Sequence, residues 1–261
     1  MTYCQFSKTN KLHQYYHDYE YGFPTTNDNI LLERLALEIN QAGLSWDLML
    51  KKRVAFNKAF KNFVVAKVAR FNQADINRLL NDSTIVRNRL KITAVIHNAK
   101  LISTLQKDYG SFSAWLTFHS NERLKENDGV VSVDEEIKYW IKVFKKQGFK
   151  FVGGEIIKEF LQSVGYLPSP HDLACAINKQ IFKARVLFIV SQIPKGQTMT
   201  YGEVAKRAGQ PKSARAVGAL MKQNQDKNIP CHRVVAKNGI GGYNGLRGKD
   251  KAVILSQEGA L

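Results

Sequence analysis

The sequence contains few cysteines and few acidic residues, and it lacks any long apolar run. Three cysteines cannot supply the set of disulfides that holds small secreted domains together. No segment approaches the roughly 20 apolar residues of a membrane helix, and residues 1–12 are too polar for a signal peptide. These absences predict a soluble, cytoplasmic protein that has no membrane partner.

Basic residues dominate what is present. The 39 Lys and Arg outnumber the 22 Asp and Glu, for a net charge of +17, and such a surface attracts polyanions, most often nucleic acid. The 261 residues, 44% hydrophobic, suffice for two cores. Residues 179–261 hold 15 basic but only 4 acidic side chains, and two prolines, Pro168 and Pro170, interrupt any helix just before this stretch. We therefore predict one domain over residues 1–178 and a second over residues 179–261.

Helical periodicity dominates the chain, so we predict a mainly α fold. Apolar residues recur at spacings of three and four in eight segments. Four lie in the first part and four in the second: Ile30–Gly43, Val54–Phe63, Ile85–Leu105, Glu135–Lys146, Ile181–Ile193, Tyr201–Ala208, Ser213–Asn224 and Lys249–Glu258. Ile229–Val235 is the best strand candidate, and a Gly-rich loop, Asn238–Gly248, follows it.

One carboxylate, Glu38, occupies an apolar helical stripe. Leu31, Leu35, Glu38 and Ala42 share one helix face, and a charge there is costly unless something partners it. Glu38 is either a buried acid held by a backbone amide or an Arg, or part of a pocket for a polar ligand. Nearby aromatics could stack on a flat ligand such as a nucleobase; they are Tyr15, Tyr16, Tyr19, Tyr21 and Trp46.

Two Cys and two His stand near the ends of the first part. Cys4 and His17 lie at its start, and His171 and Cys175 lie at its end with a spacing common among zinc ligands. Together they form a complete tetrahedral set, which would crosslink a long loop. From the residues alone, a Cys4–Cys175 disulfide or four unrelated core residues are equally open.

Residues 1 to about 178 resemble DNA-3-methyladenine glycosylase I along their whole length. The resemblance rests on several ordered motifs: Tyr16-His17-Asp18, Leu37-Glu38, Gln41-Ala42-Gly43-Leu44-Ser45-Trp46, Lys51-Lys52-Arg53, Ile85-Val86-Arg87-Asn88-Arg89, and Gly148-Phe149-Lys150-Phe151-Val152-Gly153. It implies a helix-hairpin-helix glycosylase domain that removes 3-methyladenine from DNA. It also implies a structural zinc ion held by Cys4, His17, His171 and Cys175, and no organic cofactor.

The same resemblance assigns roles to the pocket and to a basic hairpin. Glu38 would accept hydrogen bonds from the flipped base, between Tyr16 and Trp46. Because N3-methylation makes the base a cation and a good leaving group, an anionic Glu38 would attract it, and we assign no general base. The hairpin residues Arg87, Asn88, Arg89 and Lys91 would hold phosphates.

The second part contains a helix-turn-helix pattern and a cysteine beside a histidine. Tyr201–Ala208 and Ser213–Asn224 are joined by a short turn, with Thr200 and Ser213 as candidate N-caps. Arg215, Ala219 and Lys222 share one face of the second helix, which indicates a DNA-binding surface. Cys231 is followed by His232, whose imidazole could activate the thiol.

Residues 179–261 resemble the DNA-binding and active-site domain of O6-alkylguanine-DNA alkyltransferases (methylated-DNA–cysteine methyltransferases), a small winged-helix-like α/β fold. The matching pieces are Ile193-Pro194-Lys195-Gly196, Thr200-Tyr201-Gly202, Ala214-Arg215-Ala216-Val217-Gly218, Asn224, Pro230-Cys231-His232-Arg233-Val234, Gly242-Tyr243, Lys251 and Glu258-Gly259. The resemblance implies that Cys231 accepts the alkyl group, His232 deprotonates it through a water, and Glu258 orients the histidine. Tyr201, Arg215 and Asn224 would contact the DNA or the flipped base.

The sequence therefore predicts a monomeric fused repair enzyme for double-stranded DNA that carries alkylated bases. It would excise 3-methyladenine and transfer one alkyl group from O6-alkylguanine to Cys231. Two alternatives stay open: a glycosylase whose basic tail only binds DNA or senses lesions, and a zinc-dependent transcription regulator.

Overall fold

A computed structural model describes residues 2–125, 132–168, 171, 174–242 and 248–261. The chain divides into two compact units, Met1–Tyr21 with Thr25–Leu167 and Gly22–Pro24 with Pro168–Leu261. By these contacts residues 168–178 group with the second unit rather than with the first. Within the described residues, no helix is both long and apolar enough to cross a membrane. Ser169, Pro170 and Tyr243, which belong to predicted features, lie outside the described residues, as do residues 243–247 of the Gly-rich loop.

The described part of the first unit is helical throughout. Its helices are α1 (Tyr3–Ser7), α2 (Lys11–Tyr19), α3 (Asp28–Gln41), α4 (Trp46–Ala59), α5 (Val65–Val68), α6 (Gln73–Asn81), α7 (Arg89–Tyr109), α8 (Phe112–Lys125), α9 (Val133–Gln147) and α10 (Gly154–Ser163). Asn27, Ser45, Asn72, Asn88 and Ser132 cap α3, α4, α6, α7 and α9 through side-chain oxygens that accept backbone N–H groups.

Helix α3 is central to the first unit. Almost every residue from Leu31 to Asn40 is buried, and α3 packs on α4, α7, α8 and α10. Aromatic rings fill the other side of this core, with Trp115, Phe112 and Phe144 fully buried. Because α3 is enclosed by its neighbours, any polar side chain on it must be satisfied inside the protein or by a ligand.

Sequence periodicity predicted three of these helices correctly and placed a fourth too far along the chain. The predictions at Ile30–Gly43, Glu135–Lys146 and Ile85–Leu105 are confirmed as α3, α9 and α7, although α7 begins only at Arg89 because Asn88 caps it. The segment Val54–Phe63 is the end of α4 followed by a 3₁₀ turn. The chain leaves the helix there because Lys61, Asn62 and Phe63 all have positive φ.

The second unit is a small α/β fold. It contains α11 (Asn178–Ser191), β1 (Met199–Thr200), α12 (Tyr201–Arg207), α13 (Ala214–Gln223), β2 (Val234–Val235) and α14 (Gly248–Gln257). The two strands pair in parallel, with Met199 opposite Val234. All four predicted helices are confirmed. The core comes from one face of each of α11, α12 and α13, including Val186, Val204 and Val217.

Two local predictions in the second unit were wrong in detail. The strand predicted over Ile229–Val235 is reduced to two residues, because Cys231–Arg233 forms a 3₁₀ turn after Pro230. Thr200 caps α12 with a complete capping box, as predicted. Ser213 stands at the N-cap of α13, but its side chain donates to the Gln210 amide oxygen instead of accepting from the helix.

Candidate functional sites

Glu38 is a buried acid on the core-facing side of α3. Only 5% of its surface is exposed, and Leu31 and Leu35 on the same face are fully buried. Ala42 lies just beyond the helix end and is exposed, so the predicted stripe ends at Glu38. Burial raises the pKa of Glu38 to about 8; the nearby Glu159 adds to the rise and Arg34 opposes it. Burial thus favours the protonated form of Glu38, and the attraction of an anionic Glu38 for a cationic base stays a prediction.

Two aromatic residues stand beside this acid. The Tyr16 and Trp46 rings lie 5.1 Å apart between centroids, and Tyr21 packs on Tyr16 at 5.5 Å. Tyr16 Oη and Trp46 Nε1 are buried without a well-formed hydrogen bond in the described part of the chain. Such groups are costly unless a ligand or water satisfies them. Tyr15 and Tyr19 are 59% and 69% exposed, so they do not belong to this buried cluster.

An ion-pair network that the sequence did not reveal supports the cluster. Arg34 is buried, donates to Glu20 and places its guanidinium 4.9 Å from the Tyr16 ring centroid. Arg53 donates to Glu20 at 2.9 Å and to Glu33 at 2.8 Å. These charges are paired across three elements and share no spacing in the sequence, so periodicity gave no signal for them. The network fixes Tyr16 and the start of α3 relative to each other.

The turn between α6 and α7 presents basic side chains, with one exception. Arg87 and Arg89 are exposed, and Asn88 accepts the backbone N–H of Lys91. Lys91 itself is buried, and its ammonium donates to the carbonyls of Asn40 at 2.9 Å and Ala42 at 2.6 Å. The predicted phosphate contact of Lys91 is therefore wrong, because its ammonium binds the carbonyls at the carboxyl end of α3.

The candidate metal ligands form one Cys–His pair in each unit. In the first unit Cys4 and His17 are buried, with Sγ and a ring nitrogen within 4.8 Å. His17 Nδ1 lies 2.7 Å from Asp18 Oδ1, the contact that commonly orients a metal-binding imidazole. In the second unit Cys175 Sγ lies 3.7 Å from His171 Nδ1. All three cysteines are free, so the alternative of a Cys4–Cys175 disulfide is not observed.

Cys231 is the buried thiol of the second unit. It begins the 3₁₀ turn after Pro230 and is 2% exposed. Asn224 Nδ2 donates to Cys231 Sγ at 3.2 Å and to the Asp226 carbonyl at 2.9 Å. Burial raises the pKa of the thiol despite this hydrogen bond. Asn224 thus contacts the sulfur, whereas the sequence predicts it among the DNA contacts.

Glu258 connects two residues that follow the thiol. His232 Nε2 lies 3.2 Å from Glu258 Oε1, as the predicted histidine–carboxylate pair requires. Arg233 binds the same carboxylate through two hydrogen bonds of 2.7 and 2.8 Å, a partner that the sequence did not assign. These contacts lower the pKa of Glu258 to about 2, with Arg233 the largest cause. Glu258 is therefore a fixed anion beside the imidazole.

Tyr201 and Lys251 close the other side of this site. Tyr201 Oη, the hydroxyl predicted to reach DNA, donates to the Gly242 carbonyl at 3.0 Å in an exposed hydrogen bond. Lys251 is fully buried, donates to the carbonyls of Val234 and Gly242, and lies 5.6 Å from the Tyr201 ring centroid. Burial lowers the pKa of Lys251 to about 8, and its charge opposes the rise at Cys231. Sequence matching named Lys251 but not this role.

The helix pair α12–α13 presents a basic surface. Arg215, Ala219 and Lys222 are all exposed, so the face predicted from their spacing exists. Val217 and Met221 on the opposite face are buried in the core. A helix with one buried face and one basic face containing a small residue can approach a DNA groove.

Comparison with known proteins gives two matches along the chain. The methyladenine glycosylase family matches residues 6–178, and the DNA-binding domain of 6-O-methylguanine DNA methyltransferase matches residues 181–260. The DNA-3-methyladenine glycosylase 1 of Escherichia coli K12 is 34% identical over 180 residues, covering 66% of this chain and 94% of that protein.

A solved structure and a methyltransferase give the same division. The 3-methyladenine DNA glycosylase I of Staphylococcus aureus is 32% identical with a TM-score of 0.59, covering 67% of this chain and 96% of that one. A methylated-DNA–protein-cysteine methyltransferase of Methanocaldococcus jannaschii is 47% identical over 74 residues, which span 28% of this chain and 43% of that protein. The chain thus spans less than half of this methyltransferase.

Proposed function

Because the chain belongs to the methyladenine glycosylase family, we propose that its first unit excises 3-methyladenine from DNA. The observation that carries this proposal is the enclosure of Glu38 beside Tyr16 and Trp46, whose buried polar atoms make no well-formed hydrogen bond within the described residues. The substrate is double-stranded DNA from which the damaged base is flipped, since a base inside the stack cannot reach a buried acid.

The residues suggest how this pocket assists bond cleavage. The methylated base is a cation while it is attached to the sugar, and it departs as a neutral base when the glycosidic bond breaks and water takes its place. A cation next to Glu38 favours loss of the proton that burial otherwise retains there. Tyr16 and Trp46 supply flat surfaces and polar atoms that orient the base. Binding and orientation, rather than general base catalysis, are the tasks of these side chains.

The test is release of free 3-methyladenine from an alkylated duplex by the full-length protein. The unmodified protein is expected to release the base, and Glu38→Gln is expected to lose at least about 100-fold in rate, the size typical for loss of one aligned electrostatic group. Cys231→Ser is the control and should retain release. Equal rates for the parent and Glu38→Gln would contradict the proposed role of the pocket.

For the second unit, we propose a single transfer of an alkyl group from O6-alkylguanine to Cys231. Asn224 donates to the sulfur, and His232, the next residue after Cys231, lies against Glu258. The carbon–oxygen bond of the lesion breaks, a sulfur–carbon bond forms, and guanine regains its normal form with a proton. Because burial keeps the thiol protonated, a base must remove its proton, and His232 is the candidate through a water.

Intact-protein mass spectrometry after incubation with an O6-methylguanine duplex separates this proposal from its alternative. A gain of one methyl on the peptide that contains Cys231 supports transfer, and Cys231→Ser should show none. No gain in a preparation that still releases 3-methyladenine would leave a glycosylase with a DNA-binding tail. The matches are to families of repair enzymes, so neither supports the alternative of a transcription regulator.

We also propose that Cys4, His17, His171 and Cys175 bind one structural zinc ion. Two thiolates and two imidazoles form a closed tetrahedral set, which leaves no coordination position for a substrate. The donors within each unit already lie close together, and Asp18 orients His17. Zinc would supply cross-linking rather than chemistry. Arg87, Arg89 and the exposed face of α13 are the proposed DNA contacts.

A further inference from the structure

A second carboxylate acts on the same pocket from another helix. Glu159 lies on α10, which packs against α3. Its Oε2 accepts a hydrogen bond of 3.1 Å from the hydroxyl of buried Tyr21, and Tyr21 stacks on Tyr16. Glu159 is one-third exposed, with Lys158 Nζ 3.7 Å from its other oxygen. Glu159 therefore lies next to the aromatic residues, Tyr21 and Tyr16, on which the base would stack.

The charges around Glu38 do not cancel that of Glu159. In the described part of the chain, the titratable groups that act on Glu38 or on which it acts are Arg34 on α3, Tyr16 on α2, Tyr21 and Glu159. Two carboxylates thus act near the pocket, while Arg34 is already paired with Glu20 and Lys158 lies 3.7 Å from Glu159 on the side away from Tyr21's hydrogen bond, at the other carboxylate oxygen.

We propose that Glu159 is a specificity-determining residue that makes the pocket selective for bases with a positive charge. The inference rests on the proposed glycosylase function and names the chemical property that the pocket selects. When the pocket is empty or holds a neutral base, burial keeps Glu38 protonated, and repulsion by Glu159 adds to this effect. A cationic base favours ionisation of Glu38 and is attracted by the Glu159 carboxylate as well as by that of Glu38.

Two variants separate the charge of Glu159 from its hydrogen bond. Glu159→Gln keeps an oxygen that can accept from Tyr21 but removes the negative charge. Tyr21→Phe removes the hydrogen bond and keeps the charge. Glu155→Gln, on the same helix and 84% exposed, is the matched control for loss of one acid. If Glu159 had only a structural role, Tyr21→Phe would impair activity and Glu159→Gln would not.

Two substrates then report on charge. One full-length duplex carries 3-methyladenine, and the other carries its neutral, non-hydrolysable isostere 3-deaza-3-methyladenine. On the alkaline plateau, where Glu38 is ionised, Glu159→Gln is expected to lower kcat/KM for the cationic base by about tenfold, the equivalent of one pKa unit. Its Kd for the neutral duplex should stay unchanged, and the midpoint of its pH–rate profile should move to lower pH. Glu155→Gln should match the parent.

Equal losses on both duplexes, an unchanged rate, or an unmoved pH midpoint in Glu159→Gln would each overturn charge selection by Glu159. The proposed function fails separately, because its failure appears as an absence of base release by the unmodified protein. That result would overturn this inference as well. Release by the parent with no effect of Glu159→Gln would overturn the inference alone.

Discussion

At the scale of single residues, the two candidate sites hold their acids in opposite ways. Glu38 is enclosed with its pKa raised, whereas Glu258 is held by Arg233 with its pKa lowered to about 2. Glu20 and Glu33 are likewise paired with arginines. The first arrangement favours the neutral acid until a cation arrives, and the second maintains an anion beside His232. Different surroundings thus give one residue type two roles.

The raised pKa of Glu38 predicts a dependence of stability on pH. In the unfolded chain this acid ionises near 4.5, and in the folded chain near 8. Between these values unfolding releases a proton, so the folded state loses stability as the pH rises. Relative to Glu38→Gln, the parent should lose on the order of 3 kcal/mol in free energy of unfolding between about pH 5 and about pH 8.

Urea unfolding of both proteins at several pH values measures this difference. Glu155→Gln is the control, since that side chain is 84% exposed, and it should follow the parent at every pH. A constant difference between the parent and Glu38→Gln across this range would show that Glu38 ionises normally in the folded protein.

At the scale of elements, each site depends on the turn that precedes or follows a helix. Lys91 lies in the first turn of α7, and its ammonium donates to the carbonyls at the end of α3. Arg87 and Arg89, at the start of the same helix, remain exposed. The boundary between structural and DNA-facing cations therefore lies within one turn of α7.

Replacing Arg89 and Lys91 one at a time should separate DNA binding from structural support of α3. Arg89→Ala is expected to weaken binding to undamaged duplex DNA and to reduce the slope of log affinity against log salt by about 0.9, the value for one phosphate contact. Lys91→Ala should leave the slope unchanged and cost about 1–3 kcal/mol of stability, because two buried carbonyls lose their donor. Fluorescence anisotropy over a salt series and thermal unfolding supply the two readouts. A reduced salt slope in Lys91→Ala would contradict its structural role.

In the second unit, the position of Tyr201 depends on the turn at Gly241. The φ of this glycine is +72°, and a Cβ there would lie 3.1 Å from the Tyr201 ring and 3.3 Å from the Ala236 nitrogen. Gly241→Ala is therefore expected to destabilise this unit by about 1–3 kcal/mol and to slow methyl transfer, since Tyr201 must move. Gly242→Ala is the matched control, because nothing lies within 4 Å of its Cβ position. Identical unfolding curves for the two variants would refute this packing argument.

Much of the fold was predictable from the sequence because its strongest signals are local. Periodicity located α3, α9 and the helices of the second unit, and the polar cap at Thr200 fixed the start of α12. Short helices such as α1 and α5 carry too few residues for a periodic pattern. The strand prediction over Ile229–Val235 was wrong because a 3₁₀ turn has no sequence period that would reveal it.

The candidate sites were predictable only as far as motifs reach. Glu38, Cys231 and His232 stand in long ordered motifs, so the sequence named them. Glu159 and Arg34 act through contacts with elements far away in sequence, and no spacing rule describes such contacts. Lys91 was misassigned because a basic residue near a basic turn has the same sequence signature whether it faces solvent or the core.

At the scale of the whole molecule, the chain carries two sites with different turnover on one strongly basic polypeptide. Under the proposed functions, the first unit would release a base and be regenerated, whereas transfer to Cys231 would consume the second. The positive charge of +17 supports attraction to DNA for both sites, and this attraction weakens with salt. The proposed zinc ligands lie near the two ends of residues 1–178, so metal binding would constrain nearly this entire stretch.

Removal of zinc is accordingly expected to destabilise the protein far more than loss of one surface contact. Closing a loop between Cys4 and Cys175 reduces the freedom of the unfolded chain by an amount comparable with a long-range crosslink, on the order of 4 kcal/mol. Elemental analysis should find one zinc per chain, and a chelator should lower the Tm of the parent. Cys175→Ser should abolish both the bound zinc and the effect of the chelator, whereas Cys231→Ser should retain both. A chelator-insensitive Tm in zinc-loaded protein would show that the metal contributes nothing to folding.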